Sequence, residues 1–107
     1  MADALSGKQR RHLRALGHHL QPVLQVGHEG ITEAVVREAD RQLETHELIK
    51  VRIGESSPQD RHEGAELLAQ RTGSQVAQVL GRTALLYRSR KEKPAPGPGR
   101  RAFIPTT

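Results

Sequence analysis

A chain of 107 residues with a net charge of +5 and no cysteine suits one domain with a modest core; it excludes a disulfide framework and a thiolate zinc site. No apolar run approaches the roughly 20 residues of a membrane span, and the N-terminus has no apolar signal core, so a cytoplasmic protein is expected. The aromatic residues are two, Tyr87 and Phe103, which excludes a reader that stacks bases on several exposed rings.

Ser6 followed three residues later by Gln9 predicts a capping box that opens a first helix to about Gly17. Leu13, Leu16 and Leu20 share one side of it. At about 100° per residue, Lys8, Arg11, Arg14 and His18 share the opposite side. Pro22 disfavours helix at Gln21, and Pro22–Val26 reads as a short buried strand. Gly27-His28-Glu29-Gly30 follows, and then a helix over about 32–45, with Thr32 as N-cap and Ile31, Val35, Ala39 and Leu43 at helical spacing.

Glu47–Ile53 reads as a strand with Ile49, Val51 and Ile53 on one face and Lys50 and Arg52 on the other. Ser57 is the expected cap of a third helix, with Pro58 at its first position and Asp60 in its first turn; this helix buries Ala65 and Leu68 and stops at Thr72-Gly73. The runs 75–80 and 82–88, joined at Gly81, suggest a hairpin in which Tyr87 is a core residue. Residues 89–107, rich in Pro, Gly and basic side chains, are expected to form a disordered tail. The order helix, strand, helix, strand, helix, strand, strand predicts a single compact α/β domain over 5–88, with a four-stranded mixed sheet.

Charge is distributed unevenly along the chain. Residues 1–28 hold four basic groups against one acid, and 88–107 hold six against one, whereas 29–66 hold ten acids against five basic groups. One end of the fold and the tail are positive while the middle helices are acidic, a pattern that suits a one-sided binder of a polyanion. Two glycines bracketing two polar residues let a backbone come close to a ligand, beside the N-terminus of the following helix. His12, His18 and His19 have no second ligand cluster at metal spacing, and no nucleophile, phosphate-loop or paired-carboxylate pattern is present; neither a metal, a cofactor nor an enzymatic activity is expected.

Several segments, in order, resemble the YhbY-like family, also called the chloroplast RNA splicing and ribosome maturation (CRM) domain. They are Leu5-Ser6-Gly7-Lys8-Gln9-Arg10, Leu20-Gln21-Pro22-Val23, Val26-Gly27-His28-Glu29-Gly30-Ile31-Thr32-Glu33, His46-Glu47-Leu48-Ile49-Lys50-Val51, Thr72-Gly73 and Gly81-Arg82-Thr83-Ala84-Leu85-Leu86-Tyr87-Arg88. The resemblance implies a fold like the C-terminal domain of translation initiation factor three and binding to structured RNA. It implies large-subunit ribosomal RNA or pre-ribosomal particles as the partner, as for free-standing bacterial members, whereas plant members assist group II intron splicing. The family's GxxG loop maps onto Gly27, His28, Glu29 and Gly30, and its basic first helix onto Lys8, Arg10, Arg11 and Arg14.

Glu29 departs from a simple anion loop by placing a negative charge inside it. His18, Lys50, Arg52, Arg82 and Arg88 complete the expected RNA-binding set, with no DNA and no membrane partner and a monomeric protein. A β-branched residue at Gly30 is expected to harm RNA binding more than stability. The competing expectation is a protein–protein adaptor that works through the acidic second helix, with Glu33, Glu38, Asp40 and Glu44.

Overall fold

The computed structural model describes residues 5–89, so the expected tail lies outside the described residues except for Ser89. The elements are α1 (Gly7–Gly17), β1 (Pro22–Val26), α2 (Glu33–His46), β2 (Leu48–Ile53), α3 (Arg61–Thr72), β3 (Gln75–Leu80) and β4 (Thr83–Tyr87). They form an α/β domain with a four-stranded mixed sheet in the order β1-β2-β4-β3. β1 and β2 are parallel, with α2 as the crossover; β4 is antiparallel to both β2 and β3. The hairpin strand β4 therefore inserts between β2 and β3, and α3 carries the chain across to the far edge.

The helix starts follow from side-chain chemistry. Ser6 Oγ accepts from the Gln9 N–H at 3.1 Å and Gln9 Oε1 accepts from the Ser6 N–H at 2.9 Å, a reciprocal box that satisfies two N-terminal donors of α1. Thr32 caps α2 by accepting from the Val35 N–H at 3.2 Å. The cap of α3 differs from expectation: it is Asp60, not Ser57. Ser57 Oγ accepts from the Gln59 N–H at 3.2 Å, which holds the segment in a turn, while Asp60 and Glu63 form their own reciprocal box at 2.8 and 3.2 Å. Asp-x-x-Glu satisfies two orphan donors where Ser57-Pro58 would satisfy one, so the helix begins at Arg61.

The expected start of β2 also moves by one residue. Glu47 is fully buried with φ of +67°, its N–H donates to the Leu43 carbonyl, and its own carbonyl accepts from the Arg88 N–H. It ends α2 rather than opening the strand.

Strand alternation sorts the core into two layers on opposite faces of the sheet. On one face Val26, Ile49, Val51, Ile53, Ala84 and Leu86 pack with Ala39 and Leu43 of α2 and Ala65, Leu68 and Ala69 of α3. On the other, Leu48, Ala77 and Leu85 pack with Leu13 of α1, flanked by Leu16, Leu20 and Tyr87. Two helices pack on one face, and a single helix packs on the other. Gly17 makes the α1 contact close: a Cβ there would lie 2.5 Å from Leu85 Cδ1. Among the described residues, no helix is long and apolar enough to cross a membrane.

Candidate nucleic-acid interface

The loop Gly27–Gly30 leaves β1 at the end of the sheet where the other connections gather. The Gly54 N–H donates to the Val26 carbonyl and the Ile53 N–H to the Arg82 carbonyl, so the 54–60 connection and the β3–β4 turn stand beside it. The Gly30 N–H donates back to the Gly27 carbonyl at 2.9 Å, which closes a tight turn with His28 and Glu29 exposed at its tip. The two glycines have different tasks. Gly30 is buried with φ of +75°, and a Cβ on it would lie 2.5 Å from Gln59 Oε1 and 2.9 Å from Pro58 Cγ. Gly27 is exposed, and a Cβ on it would meet nothing within 4 Å. A side chain at Gly30 would therefore carry a structural cost that the sequence did not show. Gly30 shapes the turn, and Gly27 offers the backbone that a ligand can approach.

The expected basic stripe of α1 is present in part. Lys8, Arg11 and His18 are exposed and Arg14 half-buried. Arg10 lies apart from them: its guanidinium donates to the Val76 carbonyl at 2.9 Å, on the β3 edge strand, beside a groove of about 610 Å3 that Glu63, Glu66 and Gln70 also line. Lys50 and Arg52 point to the same side of the sheet as Leu48, which is the α1 side. Lys50 and His18 meet in a small notch of about 30 Å3 at the C-terminal end of α1, with Gly17, Leu80 and Thr83.

Four of the remaining arginines are held by carboxylates. Arg88, 20% exposed at its side chain, donates to Asp40 Oδ1 at 2.7 Å, the Thr72 carbonyl at 2.8 Å and Glu44 at 3.3 Å. It ties β4 to α2 and the end of α3, and so stands outside the candidate surface. Arg82 pairs with Glu55 at 3.0 Å, Arg71 with Glu33, and Arg41 with Glu38 at 2.7 Å. Arg41, and secondarily Gln42, holds the Glu38 carboxyl below the usual carboxylate range. Each of the four acids of the proposed adaptor face thus has an arginine partner. Among the described residues, Lys8, Arg11, Arg14, Lys50 and Arg52 have no carboxylate within 4 Å; nor do Arg37 and Arg61, which stand on the other two helices.

Sequence periodicity missed three residues of this surface. Gln25, Thr83 and Leu80 fall at the same register as Arg52, across all four strands and beyond the end of α1. Gln25 and Arg52 come together through the parallel pair, and Leu80 and Thr83 through the hairpin. The signal existed as alternation within each strand, but not as a relation between strands.

Comparison with known proteins places this arrangement in a family. The model of the CRS1 / YhbY (CRM) domain matches residues 5–88. The chain is 40% identical over 88 residues to the protein named "Probable RNA-binding protein YqeI" of Bacillus subtilis, covering 82% of this chain and 92% of that one. It is 40% identical over 85 residues to "Probable RNA-binding protein PA4753" of Pseudomonas aeruginosa, covering 79% of this chain and 82% of the relative. The solution structure of SAV1595 from Staphylococcus aureus superposes with a TM-score of 0.75 at 37% identity, over 95% of this chain and 100% of that one. With its fold, its relatives and its family match in agreement, the chain belongs to the CRS1 / YhbY (CRM) domain family.

Proposed function

We propose that this protein is a non-enzymatic RNA-binding module that holds structured RNA by its backbone and shape. The observation that carries the reading is the division of its cations. Arg41, Arg71 and Arg88 pair with the four acids of α2, whereas five of the cations without an acidic partner among the described residues, Lys8, Arg11, Arg14, Lys50 and Arg52, face the α1 side. Unpaired cations on one face release counterions when phosphates replace water and salt around them. Gly27 adds exposed backbone that a sugar-phosphate chain can approach, and Tyr87, the one described aromatic, is partly buried against the α1 core. The names of the relatives point the same way. Association with large-subunit ribosomal RNA or its precursors is the finer form of the proposal, resting on the family.

The test is a salt titration of binding to a folded RNA by the wild type and by Lys8→Gln/Arg11→Gln/Arg14→Gln. The wild type should bind with a steep dependence on salt. The triple variant should lose up to about three phosphate contacts, at roughly 0.7–0.9 in the log–log slope for each. An equal slope in both proteins would remove α1 from the interface. Sedimentation of the protein with large-subunit precursors in cell extracts tests the finer form.

A further inference from the structure

The last register of the sheet on the α1 side is largely open, with Gln25, Arg52 and Leu80 exposed and Thr83 half-buried. α1 ends at Gly17, packed directly on Leu85. Beyond that contact Gln25 of β1, Arg52 of β2, Thr83 of β4 and Leu80 of β3 stand in one row, since Gln25 is in register with Arg52, Arg52 with Thr83, and Thr83 with Leu80. Strands about 4.8 Å apart make this row about 14 Å wide. Its side chains face the α1 side, because the neighbours Val26, Ile53, Ala84 and Val79 belong to the opposite core. The row runs from the β1 side, where the Gly27–Gly30 loop begins, to the notch of Lys50 and His18, which Leu80 and Thr83 help to line.

Its chemistry is specific. Arg52 is exposed and has no carboxylate partner among the described residues. Leu80, at 60%, is the most exposed of the large apolar side chains described. Thr83 Oγ1 donates its proton to the Leu80 carbonyl at 3.0 Å, so toward solvent the hydroxyl offers lone pairs only. A cation, an apolar side chain and a hydrogen-bond acceptor in one row match a phosphate, a sugar face and a hydroxyl donor.

We propose that this row is a ribose platform. Arg52 takes a phosphate, Leu80 packs on the sugar, and Thr83 Oγ1 accepts a hydrogen bond from a 2′-hydroxyl. The platform rests on the RNA-binding reading and adds to it discrimination by the sugar. A 2′-hydroxyl is what distinguishes RNA from DNA at a given site, and a sugar without it gives Thr83 no donor.

The experiment compares the full chain's affinity for one RNA hairpin and for the same hairpin carrying 2′-fluoro sugars, which keep the A-form and lack the hydroxyl donor. The wild type should prefer the hydroxyl form by about two- to tenfold, the range of one net hydrogen bond. Thr83→Val keeps a β-branched residue in the strand and should abolish that preference without changing the salt slope. Arg52→Gln should lower the slope by roughly 0.7–0.9 for both hairpins. Equal wild-type affinity for the two hairpins, or a preference that survives Thr83→Val, overturns the platform alone as long as the hairpins still bind through α1. No binding of either hairpin by the wild type overturns the RNA-binding reading together with the platform. The 2′-fluoro hairpin is also the internal control for folding, since a misfolded Thr83→Val would lose both.

Discussion

Gly27 and Gly30 should separate when each is changed to alanine. At Gly30 the cost has two parts. A side chain at φ of +75° has the strain of the left-handed region, about 1–2 kcal/mol. The new Cβ would also press on Pro58 Cγ at 2.9 Å and on Gln59 Oε1 at 2.5 Å. Gln59 can swing aside, but the proline ring is fixed, and overpacking of this kind costs about 1–3 kcal/mol. The total of about 2–5 kcal/mol corresponds to a melting point lower by roughly 8–40 °C in a domain of this size. At Gly27 the Cβ enters open space, so the melting point should stay within a few degrees, as for an ordinary surface change of about 0.5 kcal/mol. RNA affinity behaves oppositely: Gly27→Ala weakens it in a fully folded protein, while Gly30→Ala weakens it only as far as the fold is lost. Thermal melts by circular dichroism, followed by RNA titration well below each melting point, read both effects. A Gly30→Ala protein that melts with the wild type would refute the packing argument, and a Gly27→Ala protein with unchanged affinity would remove the loop backbone from the interface.

Other outcomes follow from the same structure. Arg88→Met should destabilise the domain by about 2 kcal/mol in a denaturant titration, because charge-assisted bonds to Asp40, Glu44 and the Thr72 carbonyl disappear from a mostly covered site; its RNA salt slope should stay that of the wild type. Gly17→Ala should lower stability by about 1 kcal/mol or more despite alanine's better helix propensity, since its Cβ meets Leu85; joined with Leu85→Val, it should show coupling in a double-mutant cycle. NMR titration should find Glu38 ionising below the usual carboxylate range, and Arg41→Met should return it upward. Its folded-state value is depressed, so its contribution is present above the unfolded value and fades as pH falls through the folded one.

The fold was legible in the sequence wherever the relevant contacts were local. Ser6 and Gln9, Thr32, Gly73 and the alternation of Ile49, Val51 and Ile53 each concern residues close in the chain, and each stands as read. The cap of α3 was misplaced because two local patterns overlapped, Ser57-Pro58 and Asp60-x-x-Glu63, and the second satisfies one more donor. The candidate surface was less legible because it depends on distant pairs. Nothing near Arg88 in sequence shows that Asp40 and Glu44 hold it, forty-odd residues away, and nothing near Gly30 shows that Pro58 closes on it.

The arginine–carboxylate pairs on the α2 and α3 side explain how an acid-rich chain segment can coexist with an anionic partner. Most of these pairs are exposed, and exposed pairs add little to stability, about 0–1 kcal/mol each. Their larger effect is on the field. Four arginines offset five of the ten acids of residues 29–66, so those ten produce a weaker negative surface than their number suggests. The cations of α1 and of the open sheet face have no such partners among the described residues, and their field is left to act at a distance. A polyanion arriving by diffusion would then be steered by the difference between the two sides, with α1 and the end of the sheet as the attractive side. On that view α2, whose four acids all have arginine partners, adds little negative field of its own, while the sheet between it and α1 sets which cations share a face.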